Sequence, residues 1–167
     1  MGKAIYGNAG AAGAMALLLL GLGVGASSAK AQQSAGFRDF EGVWSGSGSI
    51  AHVDGRTERL RCGADYAARG DLLSQRLRCR SDSMGFDLVN TLRNDGGRLS
   101  GEWAETSRNV RGAVTGRLGH NSMQGTAQGP GFSAGISVTV RGNRQSVAIR
   151  AQGGDIAAVN IALVRGR

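Results

Sequence analysis

Several short stretches of this 167-residue chain hold residue types that perform chemistry in other settings. Gly131-Phe132-Ser133-Ala134-Gly135 has the spacing of a nucleophile elbow, where a sharp strand-to-helix turn exposes the serine hydroxyl. Here residues Ile136 to Val140 alternate as a strand, so no helix opens after Ser133. Both histidines, His52 and His120, precede Ser133, whereas the hydrolase order places histidine last. Gly42 to Gly48 is rich in glycine and serine, but it lacks the Gly-Lys-Ser/Thr ending and the helix dipole that hold a phosphate. His52 and Asp54 share a strand face, yet two ligands do not define a metal site. His120, beside Asn121, reads as a turn residue. Glu102 and Glu105 are the nearest carboxylate pair, and a strand sends them to opposite faces, which argues against paired acid–base work. Arg69-Gly70-Asp71 reads as a hairpin tip. These residues assemble no catalytic, metal or cofactor constellation, and the expectation is a non-enzymatic protein.

Lys3 and the free amino terminus precede an apolar run, Ala14 to Val24, of 11 residues. Ala29-Lys30-Ala31 then offers a small-residue cleavage site before Gln32. This is the layout of a secretory signal peptide over residues 1–31, and the run falls short of the roughly 20 residues of a spanning helix. Without that segment the chain contains 18 arginines, 12 acidic residues and no lysine, a net charge of +6. The expected localisation is the bacterial periplasm or the exterior, with no transmembrane segment in the mature chain.

The elements that would position any site are strands. Beyond Phe40 the apolar period is two, with turn signals every eight to twelve residues, which predicts about ten strands. Trp44 and Ile50 share a face, as do Leu60, Cys62, Ala64 and Tyr66. Phe132, Ala134, Ile136, Val138 and Val140 form the clearest strand. Ten strands with short connections favour an antiparallel meander closed into a barrel, since closure removes exposed edges; a two-sheet sandwich is the alternative. Residues 32–39 read as a flexible lead-in and 40–167 as one β domain. A lipid-spanning barrel would need aromatic girdles at both interfaces, for which seven aromatic residues beyond the signal peptide are too few.

If Gly70 lies near a hairpin tip, Cys62 and Cys79 fall opposite one another, and both lie on the apolar face. A Cys62–Cys79 disulfide is therefore expected, and such bridges belong to oxidising compartments. On the other face of the same two strands Arg59, Arg61, Arg76, Arg78 and Arg80 would form an outward patch able to attract an anion. Aromatics are not interleaved with these arginines, so nucleic acid is not the expected partner. The inward face is the second candidate site. Trp44, Tyr66, Phe86, Trp103 and Phe132 supply aromatic walls, and Gln75 and Asn90 are polar residues on otherwise apolar faces. Glycines 46, 48, 101, 112, 116 and 125 also fall on that face, where glycine either leaves room for a ligand or permits tight bends.

Gly42-Val43-Trp44 at the start of a ten-strand meander resembles the Gly-x-Trp opening of the calycins, the lipocalin, avidin and fatty-acid-binding group. Gly101-Glu102-Trp103 echoes it. The segments Leu77 to Leu88 and Gly142 to Arg150 also resemble uncharacterised exported proteins of alphaproteobacteria, a likeness that implies export and a β fold. The expected function is binding of a small apolar or amphipathic ligand inside a barrel. The alternative is an envelope interaction protein whose arginine patch meets an anionic surface or an acidic partner.

Overall fold

Glycine and Asx turns separate the alternating segments closely enough that each strand folds back on the last. The structure, a computed structural model, describes residues 36–166. The expected signal peptide and the first part of the lead-in lie outside the described residues. The strands are β1 (Gly42–His52), β2 (Thr57–Arg69), β3 (Leu72–Arg80), β4 (Gly85–Asp95), β5 (Arg98–Glu105), β6 (Val110–Leu118), β7 (Ser122–Gly129), β8 (Phe132–Arg141), β9 (Arg144–Gln152) and β10 (Ile156–Arg165). Each pairs antiparallel with its neighbours in sequence, and β10 returns to β1 to close the barrel. A sandwich is thereby excluded. Among the described residues no helix is long and apolar enough to cross a membrane.

Period-two alternation sorts the side chains as the pleat requires. Most leucine, valine and isoleucine side chains and the aromatics turn inward, Val43 and Val164 being exposed exceptions, while serine, threonine, glutamine and arginine cover much of the outside. A lipid-facing barrel has the reverse arrangement.

The six inward glycines serve curvature. At Gly46 and Gly112 a Cβ would run into the carbonyl oxygens of Ala162 and Gln128 on the adjacent strands, and similar collisions occur at glycines 48, 101, 116 and 125. Omitting the side chain lets neighbouring backbones approach and the sheet coil tightly enough to close. The space at these positions is filled by backbone, and none of the six glycines lines the inner cavity.

One end of the barrel is sealed by a feature that alternation does not announce. Residues 37–40, mostly inside the stretch expected to be a flexible lead-in, form a turn whose Phe37 and Phe40 join the buried core. The Trp44 indole Nε1 donates to the Phe40 carbonyl at 2.8 Å. The Arg165 guanidinium lies 4.5 Å from the Trp44 ring centroid and donates to the Asp39 carbonyl, tying the last strand to the turn. Leu73, Leu163 and Gln145 complete the fully buried packing at this end.

Candidate functional site

The opposite end is hollow. A cavity of about 790 Å³ occupies the half of the barrel reached through the β1–β2, β5–β6, β7–β8 and β9–β10 connections. Its aromatic wall is Phe86, Trp103 and Phe132, with the Trp103 and Phe132 ring centroids 5.4 Å apart and tilted by 59°. Met84, Leu88, Val110, Ile136, Ile149 and Ile156 add aliphatic surface, and Ala127, Ala134 and Ala151 keep the lumen wide. The Trp103 Nε1–H is spent on the Gln128 carbonyl at 3.1 Å, so its ring presents apolar surface. This volume lies within the range typical of small-molecule sites.

Four of the seven residues expected on an inner binding surface line this cavity: Phe86, Asn90, Trp103 and Phe132. The other three face inward without lining it. Trp44 is in the sealed end under Phe40, because it begins β1 at the end opposite the opening. Tyr66 and Gln75 lie below Asn90 in the same lateral row of residues, Tyr66 opposite Gln75 and Gln75 opposite Asn90. The row is hydrogen-bonded along its length. Asn90 Nδ2 donates to Gln75 Oε1 at 2.8 Å, Gln75 Nε2 to the Tyr66 hydroxyl at 3.1 Å, and that hydroxyl to Gln145 Oε1 at 3.1 Å. Burial pushes the Tyr66 phenol up, against the smaller opposing effect of its bond to Gln145, so the hydroxyl keeps its proton as a donor. These four polar side chains bridge β4 to β9 and separate cavity from sealed core. Sequence reasoning does not single out Gln145, because one polar residue at the start of an alternating strand carries no distinguishing signal.

The mouth is polar and cross-tied. His52 Nε2 lies 3.1 Å from Glu58 Oε1, and the Ser81 and Ser83 hydroxyls donate to Glu58 Oε2 at 2.5 and 2.6 Å. Those hydroxyls, with His52, hold the Glu58 carboxyl below its ordinary range. Arg56 pairs with Asp54 at 2.7 Å and lowers its carboxyl in turn. The Val53 amide donates to the Asp155 carbonyl at 3.0 Å, joining the β1–β2 and β9–β10 loops.

Glu105 is the buried carboxylate of the rim, while Glu102 faces outward, as the strand period requires. Burial alone would raise the Glu105 carboxyl. The amides of Asp87, Arg108 and Ser107 and the Ser107 hydroxyl all donate to it, outweigh burial and bring it down to about 2. The residue staples the β5–β6 turn to β4, and its folded pKa lies below the ordinary 4.5. Its contribution to stability is therefore complete above pH 4.5 and drains away as the pH falls towards 2. Glu105→Gln is expected to cost on the order of 2 kcal/mol at pH 7, with the gap to wild type narrowing below about pH 4.5 and closing only at about pH 2 in urea titrations. A gap of equal size at pH 7 and at about pH 2 would contradict this role.

Outside, the five arginines of β2 and β3 share a face as expected, but their charges are not equally available. Asp87 on β4 pairs with Arg78 at 3.3 Å and with Arg80 at 2.9 Å. Arg76 sits opposite Asp65 in register. Among the described residues Arg59 and Arg61 have no ion pair, and with Arg80 they border an outer hollow of about 820 Å³ floored by Ser47, Ser49 and Ser146. Asp87 escapes sequence reasoning because it neutralises across a strand pair rather than along the chain.

Cys62 and Cys79 are directly opposite one another and form a disulfide. A disulfide fits an oxidising environment. Ser133 is an outward residue within β8, between Gln128 and Gln152 of the adjacent strands, with strand rather than helix following it. Among the described residues no three histidine, cysteine or acidic side chains gather as a metal site would need.

Fold and cavity together define a closed ten-stranded antiparallel barrel with a one-ended apolar lumen. No protein-family model matches the chain, and no curated protein matches it in sequence. Solved structures do. The crystal structure of Rv2717c from M. tuberculosis superimposes with a TM-score of 0.64 at 14% identity, over 77% of this chain and 94% of that one. The S-type phycobiliprotein lyase CPES from Guillardia theta gives 0.60 at 10% identity, over 78% and 90%. A DUF3598-family protein of unknown function from Nostoc punctiforme gives 0.56 at 11%, over 79% and 49%. At these identities the likeness is one of fold.

Proposed function

We propose that this is an exported, non-enzymatic binding protein that takes a small apolar or amphipathic molecule into the barrel. The observation that carries the reading is the cavity of about 790 Å³, apolar along its walls and polar at its mouth, above a hydrogen-bonded floor. A packed core of this size would ordinarily be filled by side chains, and an apolar hollow forfeits their dispersion contacts unless a ligand restores them. The similarity in fold to a phycobiliprotein lyase is compatible with a barrel that accommodates a small organic group. The signal-peptide layout of residues 1–31, together with the disulfide, supports export.

Ala134 projects into the cavity from β8, and tryptophan there would occupy the lumen. Wild-type protein is expected to bind 1-anilinonaphthalene-8-sulfonate with enhanced, blue-shifted emission. Ala134→Trp should weaken that binding at least about tenfold while preserving the β circular dichroism spectrum. Equal binding by both proteins would place the dye elsewhere and remove the support for an internal site. Native mass spectrometry of protein extracted from a bacterial periplasm then reads the natural ligand as added mass.

A second reading is favoured by one observation, the unneutralised Arg59 and Arg61 beside the serine-floored outer hollow. On this reading the face meets an anionic envelope component. Charge reversal of both residues should abolish sedimentation with phosphatidylglycerol vesicles at low salt; unchanged sedimentation would dismiss it.

A further inference from the structure

We infer that the ligand of this cavity carries a hydroxyl group at its inserted end and that Asn90 receives it; the inference rests on the internal-site reading above. Asn90 is the polar side chain in the deep part of an otherwise apolar lining, the remaining polar lining being at the rim. One half of its amide is committed, because Nδ2 donates to Gln75 Oε1 at 2.8 Å. The other half is open: Oδ1 accepts no hydrogen bond among the described residues and is not occluded, unlike the buried Nε2 of Gln145. The far neighbour of Asn90 in the row, Trp103, offers it nothing, since its indole N–H is spent on Gln128.

The floor behind Asn90 makes the demand specific. From Asn90 the donors run one way, through Gln75 and the Tyr66 hydroxyl to Gln145 Oε1. Each of the three amides presents a donor and an acceptor, and a hydroxyl does both, so the whole chain also closes with every bond reversed. In the first polarity Asn90 presents Oδ1 to the cavity and Gln145 Nε2 is left without a partner. In the second, Gln145 Nε2 donates to Tyr66 and Asn90 presents Nδ2. An entering hydroxyl satisfies either polarity, giving its proton to Oδ1 or accepting one from Nδ2. A ketone fits only the second, and a hydrocarbon leaves Asn90 unpaired in the dry floor, which costs affinity. Gln75 and Tyr66 are positioning residues that hold the Asn90 amide in place.

The probes are naphthalene and 1-naphthol, which share a ring system and differ by one hydroxyl. Calorimetric or fluorescence titration of wild type, Asn90→Leu and Asn90→Asp, all as the intact disulfide-bonded protein, yields the ratio of the two dissociation constants in each. Relative to wild type, Asn90→Leu is expected to reduce the preference for 1-naphthol about three- to tenfold, with naphthalene binding retained. Retained naphthalene binding also shows that the variant is folded. Asn90→Asp keeps an acceptor at the same place and lets the chain close in its reversed polarity, so it should retain the 1-naphthol preference even if the leucine variant fails to fold. An unchanged ratio in Asn90→Leu, or loss of the preference in Asn90→Asp, overturns the role of Asn90 while leaving the internal site standing. Failure of wild type to bind either probe overturns both.

Discussion

Trp44→Ala is expected to lower the free energy of unfolding by about 4 kcal/mol, the largest loss of any single side chain in this barrel. Trp44 is wholly buried in the sealed end. Its removal leaves a cavity that the surrounding strands, bound on both sides by hydrogen-bonded neighbours, cannot collapse to fill. Two further losses accompany it. The Phe40 carbonyl forfeits the indole donor at 2.8 Å, and the Arg165 guanidinium loses the ring beneath it. The arginine Nε is already buried without a partner, so the ring face is a main part of what makes its position tolerable. Trp44→Phe retains an apolar ring but not the donor, and should recover roughly half the loss. Urea unfolding followed by far-ultraviolet circular dichroism measures both variants. A loss below about 1 kcal/mol for the alanine variant would mean that the turn at residues 37–40 does not anchor the sealed end.

Reducing the Cys62–Cys79 bridge is expected to cost roughly 3 kcal/mol. The bridge joins the neighbouring strands β2 and β3 across a sequence separation of 17 residues, and in the chain-entropy model a loop of this length restricts the unfolded state by about that amount. Both sulfurs are in the core, with Cys79 fully buried, so the reduced thiols stay on the apolar face and need no new hydration. The native barrel should therefore survive reduction with its spectrum unchanged but with a lower urea midpoint. The double variant Cys62→Ala/Cys79→Ala should reproduce the shift without reductant. Coincident unfolding curves for oxidised and reduced protein would show that the bridge adds nothing to the ladder between the two strands.

Much of this architecture is written locally. A strand period of two decides which side chains share a face, and a tight turn decides which residues oppose one another. Cys62 with Cys79 and Tyr66 with Gln75 both follow from the position of Gly70, which takes a positive φ at the hairpin tip. The same rule carried across the next two hairpins brings Asn90 and Trp103 into the row. For that reason alternation alone marks Gln75 and Asn90 as inward polar residues, and the strand that follows Ser133 rules out the elbow. Which half of the barrel is hollow is not legible in the same way, because alternation places Trp44 and Trp103 on the same inner face without saying how far apart they lie along the barrel axis.

By itself, then, the sequence determined ten strands, their faces, the hairpin registers and the disulfide, since each depends on residues a few positions apart. Tertiary structure alone decided the rest. Pairing of β10 with β1 joins residues more than a hundred positions apart, and only that closure brings Arg165 over Trp44 and creates an inside. Phe37 and Phe40 fill one end because the closed barrel offers them an apolar opening to cover, whereas an isolated lead-in would leave them in water. The inward glycines became bends because neighbouring backbone moved into the space that they leave. What remains open is the far half of the lumen, floored by Asn90.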